Sequence, residues 1–199
     1  MKNLTQGALL FLVVFLAGLA ISVGTSGIEK HLDLANGFVT GPSSACQRTA
    51  PGSTSCGDAM GGEWGKVFKI PTATWGTAAP LAVLLLAAAL AISGWRREQD
   101  YVPQILWGLA TMALVMVGGT LAFVWIHSQT SQGAPYCGYC KAMHIANVAT
   151  ALSILGLIWG GWSREFMRAF GPIDVLLGGM TGGIMFVVSV VGLNASYDA

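Results

Sequence analysis

Long uncharged stretches separated by short polar ones set the pattern of this chain. Residues 4–28, 70–95, 101–127, 142–163 and 175–197 carry no Asp, Glu, Lys or Arg. Each exceeds the roughly 20 residues that a helix needs to cross ~30 Å of hydrocarbon. One charge at the centre of such a span costs ~2.5–3.5 kcal/mol on insertion scales. The pattern therefore predicts five transmembrane helices. The first combines Lys2 with an apolar run, as a secretory signal does. That run outlasts the ~7–15-residue core of a signal, and Ser22-Val23-Gly24 matches a cleavage site only loosely, so a retained span is expected.

The connections are unequal. Residues 24–69 form a long outer loop rich in Gly, Ser, Thr and Pro, while the others are short. Within the loop, Glu63 to Lys69 reads EWGKVFK, with Trp64, Val67 and Phe68 at i, i+3, i+4. That spacing predicts a short amphipathic helix lying at the interface. Trp95, Tyr101, Trp125, Trp159 and Trp162 fall near span ends, where interfacial aromatics are expected. Met112, Met116 and Met143 are expected to pack rather than to ligate.

Composition agrees with a membrane solvent: 54% of residues are hydrophobic and only 10% charged, against ~25% charged in soluble domains. The net charge of +1 gives no reason to expect a nucleic-acid partner. Under alternating topology Lys2, Arg96, Arg97, Arg164 and Arg168 share one side, and Lys30, Arg48, Lys66, Lys69 and Lys141 the other. Four of the second set are spread over the long loop, which the positive-inside rule discounts. The N-terminus is accordingly expected in the cytoplasm.

The same alternation gathers the four cysteines. Cys46 and Cys56 lie in the loop after span one, and Cys137 and Cys140 open span four, so all four face one compartment, the periplasm or exterior. Four chemistries compete for them. Haem attachment needs CxxCH, but Lys141 follows Cys140. Zinc accepts CxxC as a half-site, but nine residues separate Cys46 from Cys56, wider than the usual ~2–4. Two structural disulfides suit an oxidising face, although a CxxC ring constrains little of the unfolded chain. A redox pair explains most. Pro135 precedes the pair and places Cys137 and Cys140 at a helix start, where unpaired N–H groups and the helix dipole favour thiolate. A thiolate there can meet a lipid-soluble quinone, and a loop pair can exchange disulfides with a water-soluble partner.

Three features in order resemble the vitamin K epoxide reductase family: the loop pair Cys46…Cys56, the IPTATWG stretch from Ile70 to Gly76, and CGYC followed by an apolar helix. The resemblance covers about residues 9–163. It implies a four-helix catalytic bundle with Cys137 and Cys140 as the active-site pair and Cys140 facing the quinone. It also implies that Cys137 exchanges with Cys56 and that Cys46 bonds a thioredoxin-like partner. By position, His144 takes the place of a family tyrosine that hydrogen-bonds the quinone. Thr72 takes that of a family asparagine, and Trp75 would wall the same pocket. The chain departs from the pattern in its Cys46–Cys56 spacing, in Gly62 where a serine is common, and in stopping at Ala199 where bacterial relatives continue into a thioredoxin-like domain. A separate outer-face thioredoxin-like partner is expected, or else the chain is a fragment of a longer fusion.

The expectation is an all-α integral membrane protein, a four-helix catalytic bundle plus a fifth transmembrane helix and a short interfacial helix. Residues 1–170 would form the bundle domain and 171–199 the fifth helix and tail. The expected activity is thiol–quinone oxidoreduction that generates disulfides, with menaquinone, ubiquinone or phylloquinone as acceptor and an epoxide as a second candidate. No metal site is expected. The alternative is a non-enzymatic membrane protein with two structural disulfides.

Overall fold

The computed structural model describes residues 4–35, 66–67, 70–96, 100–130, 138–168 and 171–197. Five long helices carry the fold: α1 (Leu4–Ala35), α2 (Thr72–Arg96), α3 (Val102–Thr130), α4 (Gly138–Gly161) and, after the single turn-and-a-half of α5 (Ser163–Arg168), α6 (Pro172–Tyr197). Each of the five contains a stretch long and apolar enough to span a membrane. The protein is an integral, multi-pass membrane protein. The fourth span begins at Gly138, ahead of the uncharged stretch, because one exposed Lys141 at a helix end can reach the interface.

α1 packs against α2 and α4, and α3 packs against the same two, which closes a four-helix ring. α6 lies outside the ring against α2 and α3. Outward faces are as apolar as the core: Phe11, Leu114, Leu121, Leu152, Val187 and Val191 are all exposed. Water would make such a surface costly, whereas lipid does not.

The largest cluster of fully buried side chains is concentrated towards one end of the bundle. Val13 and Ala17 of α1, Leu86 and Leu90 of α2, Leu106, Leu109 and Met112 of α3, and Ile154, Leu157 and Ile158 of α4 are fully buried together. These belong to the first half of α1 and α3 and the second half of α2 and α4. The same end is tied by polar groups. Gln6 Nε2 donates to the carbonyl of Gly161 at 2.7 Å, satisfying a helix C-terminus that has no intrahelical partner. Gln104 Nε2 donates to Asp174 Oδ1 at 3.0 Å, linking α3 to the first turn of α6.

Two local expectations differ from the structure. Within the stretch from Glu63 to Lys69, Lys66–Val67 is a strand, β1, paired antiparallel with β2 (Ile70–Pro71), Val67 opposite Ile70. A residue before proline is pushed towards extended backbone, and β-branched Val67 and Ile70 fit it, so the helical spacing gives way to the pairing. Trp64 and Phe68 lie outside the described residues. Trp162, at the end of the fourth span, is buried in the core with Phe166 instead of exposed, where the chain leaves α4 for α5. Tyr101, Trp125 and Trp159 are exposed, as span-end aromatics should be.

Candidate functional site

The opposite end of the bundle is hollow. A cavity of about 310 Å³ lies between the end of α1, the start of α2, the second half of α3 and the start of α4. That volume is at the lower end of small-molecule sites, ~300–1,000 Å³. Thr72 and Trp75 reach it from the first turn of α2, and Cys140 and His144 from the first two turns of α4. Residues on two helices, far apart in the chain, therefore share one chamber.

α4 begins at Gly138, so Cys140 sits in its first turn, half-buried. One turn on, the His144 ring packs against Phe123 of α3, centroids 5.2 Å apart. Its Nδ1 lies 3.3 Å from Thr120 Oγ1, a hydrogen bond whose direction follows the imidazole tautomer. With Thr120 donating, the ring proton sits on Nε2, where it can donate to a ligand carbonyl. On the far side, the Trp75 ring meets Phe186 of α6 at a centroid distance of 5.9 Å. Phe186 lines the cavity too, so the outer helix supplies part of its wall.

Of the seven sequence-predicted site residues, Cys140, His144, Thr72 and Trp75 line this cavity. Cys46, Cys56 and Cys137 lie outside the described residues. Sequence reasoning passed over Tyr139, Asn147, Thr120, Phe123 and Phe186, which also line it, as does Met143, expected as a packing residue. Asn147 had a signal: Cys140, His144 and Asn147 fall at i, i+4 and i+7, one helical face, and an amide inside an apolar span is costly without a purpose. Thr120 and Phe186 had none, because only packing places their helices here.

Residues 9–155 match the model of the vitamin K epoxide reductase family. The chain belongs to that family. The match runs from within α1 to within α4 and stops before α5 and α6. Vitamin K epoxide reductase family proteins are membrane oxidoreductases that act on quinones, and this chain shares their helical membrane architecture. No curated protein and no solved structure matches it.

Chemically, the chamber combines a thiol, hydrogen-bonding groups and aromatic walls. Thr72 and His144 offer donors for carbonyl oxygens, and Trp75, Phe123 and Phe186 offer faces for a flat ring. Among the described residues no group of three His, Cys, Asp or Glu side chains could hold a metal ion.

Proposed function

We propose that this vitamin K epoxide reductase family member oxidises a separate thioredoxin-like protein and passes the electrons to a membrane quinone, so generating disulfides. The observation that carries the reading is the cavity itself: Cys140 shares its wall with Thr72, Trp75 and His144 at the end of the bundle where α1 stops and α2 starts. A thiol there meets a ligand arriving from lipid, at the end of the bundle where the chain between α1 and α2 carries Cys46 and Cys56. With the N-terminus in the cytoplasm, this end faces the periplasm or exterior.

The chemistry balances in two electrons. The partner's dithiol attacks a Cys46–Cys56 disulfide at Cys46, leaves as a disulfide, and transfers two electrons and two protons inward. Cys56 then attacks the Cys137–Cys140 disulfide at Cys137, and Cys46 displaces Cys137 from the mixed disulfide, so the Cys46–Cys56 bond re-forms as the Cys137–Cys140 bond breaks and leaves two thiols. Cys140 faces the quinone, and closure of the Cys137–Cys140 disulfide delivers two electrons to it. Two protons complete the hydroquinone. Within this scheme His144 and Thr72 hold the carbonyl oxygens by hydrogen bonds that strengthen as negative charge builds there. Trp75 and Phe123 fix the ring plane and keep water away. The cavity has room for a ring headgroup, so an isoprenoid chain would run out into lipid. Residues 1–170 would hold the whole catalytic apparatus apart from the wall contributed by the helix in 171–199.

The test is a purified-protein assay. Detergent-solubilised protein with a small dithiol and a short-chain quinone should reduce the quinone with one dithiol consumed per quinol formed. Quinone reduction no faster than in protein-free buffer would overturn the proposal.

A further inference from the structure

One polar group in the cavity wall is left over by the scheme above. Asn147 is 95% buried on α4, at 5% relative exposure, and it lines the cavity. Its amide is oriented by a neighbour on α2. Pro80 sits inside α2 and has no N–H to give the carbonyl of Gly76, four residues earlier. Asn147 Nδ2 donates to that freed Gly76 oxygen at 3.4 Å, a long bond across the helix interface. With the nitrogen so committed, the amide oxygen is fixed as the remaining group. Asn147 Oδ1 is buried and has no hydrogen-bond partner among the described residues. A buried acceptor left unsatisfied is destabilising, and a ligand donor would remove that cost.

A quinone cannot be that donor, because both its oxygens only accept. Its two-electron, two-proton product carries two O–H groups that donate. We infer that Asn147 is a positioning residue for the reduced ring: its Oδ1 accepts a hydrogen bond from a hydroquinone hydroxyl, so the cavity holds the quinol more tightly than it would otherwise, relative to the quinone. The inference rests on the thiol–quinone reading and deepens it by naming which redox state the wall favours. Cys140, His144 and Thr72 meet the oxidised ring, whereas Asn147 meets only the product. Favouring the bound product pulls electrons from the thiols towards the ring.

The Pro80–Gly76–Asn147 arrangement also supplies its own control. Replacing Asn147 by leucine removes the ligand acceptor and orphans the Gly76 carbonyl at once. Adding Pro80→Ala returns an N–H to α2 and satisfies Gly76 within the helix. The double variant N147L/P80A therefore separates the structural role from the ligand role.

Affinities for menadione and menadiol are measured anaerobically on the detergent-solubilised chain, from quenching of tryptophan emission by menadione and its displacement by menadiol. In N147L/P80A, thermal stability should recover relative to N147L, menadione affinity should stay within about twofold, and menadiol affinity should fall roughly three- to tenfold, the net worth of a neutral hydrogen bond. Unchanged menadiol affinity, or equal losses for both ligands, overturns the role of Asn147 while leaving the thiol–quinone reading intact. Wild-type protein that binds neither ligand overturns both.

Discussion

The docking of α6 can be tested through a single methyl-sized intrusion. Gly178, Gly182 and Phe186 recur every four residues and so occupy one face of α6, the face against α2 and α3. A Cβ at Gly182 would lie 2.9 Å from the Gly108 carbonyl oxygen, 3.3 Å from Gly108 Cα and 3.4 Å from Met112 Cε. The first two are backbone and cannot rotate away. Carbon–oxygen contacts normally begin near 3.3–3.6 Å, so Gly182→Val must part the helices by about 0.5 Å or more. A Cβ at Gly178 would likewise collide with Trp107. Close approach through small residues is what drives association where lipid is as apolar as the interface. Overpacking costs about 1–3 kcal/mol, which for a chain of this length is a melting shift of about 2–12 °C. The same displacement withdraws Phe186, one turn on, from Trp75. An aromatic pair is worth about 0.5–1.5 kcal/mol, so menadione should bind about two- to tenfold more weakly. Thermal unfolding in detergent and fluorescence titration measure the two effects. Gly183→Val is the matched control, since a Cβ there meets nothing within 4 Å. Equal stability and equal menadione affinity in the two variants would refute the close-packing argument.

Further outcomes follow from the proposed relay and site. Cys140→Ala should reduce dithiol-driven quinone reduction to the uncatalysed background, and full turnover would remove Cys140 from the chemistry. Cys46→Ala should block oxidation of a thioredoxin-like protein yet leave reduction by a small dithiol, and equal loss of both would reverse the relay order. His144→Phe keeps a ring against Phe123 but removes the hydrogen bond, so KM for the quinone should rise roughly three- to tenfold. Thr120→Val should move KM in the same direction by less, because it acts only by orienting His144. A Thr120→Val effect larger than that of His144→Phe would contradict that order.

Much of the architecture was already written in one dimension. Spans were legible because hydrocarbon charges so heavily for ions that five uncharged stretches can be nothing subtler than membrane helices. Cys140, His144, Thr72 and Trp75 were legible through short patterns at span starts, and helix alternation alone carried the two starts to one end of the bundle. Local conformation at Lys66–Val67 was misread because a three-residue helical spacing is weak beside a proline and two β-branched residues. Exposure at Trp162 was not legible, because a residue at a span end can pack into the protein core instead of facing outward.

What the sequence determined by itself is the solvent, the number of crossings and the gathering of reactive groups at one end, since these depend on composition and on the parity of crossings. Tertiary structure alone decided where the core stops and the cavity begins, that Phe186 of the outer helix closes the wall, and that Asn147 meets a carbonyl freed by Pro80. Those facts depend on the rotation and separation of neighbouring helices. An apolar segment that is hydrophobic on every face carries no record of either, because lipid and protein accept the same side chains.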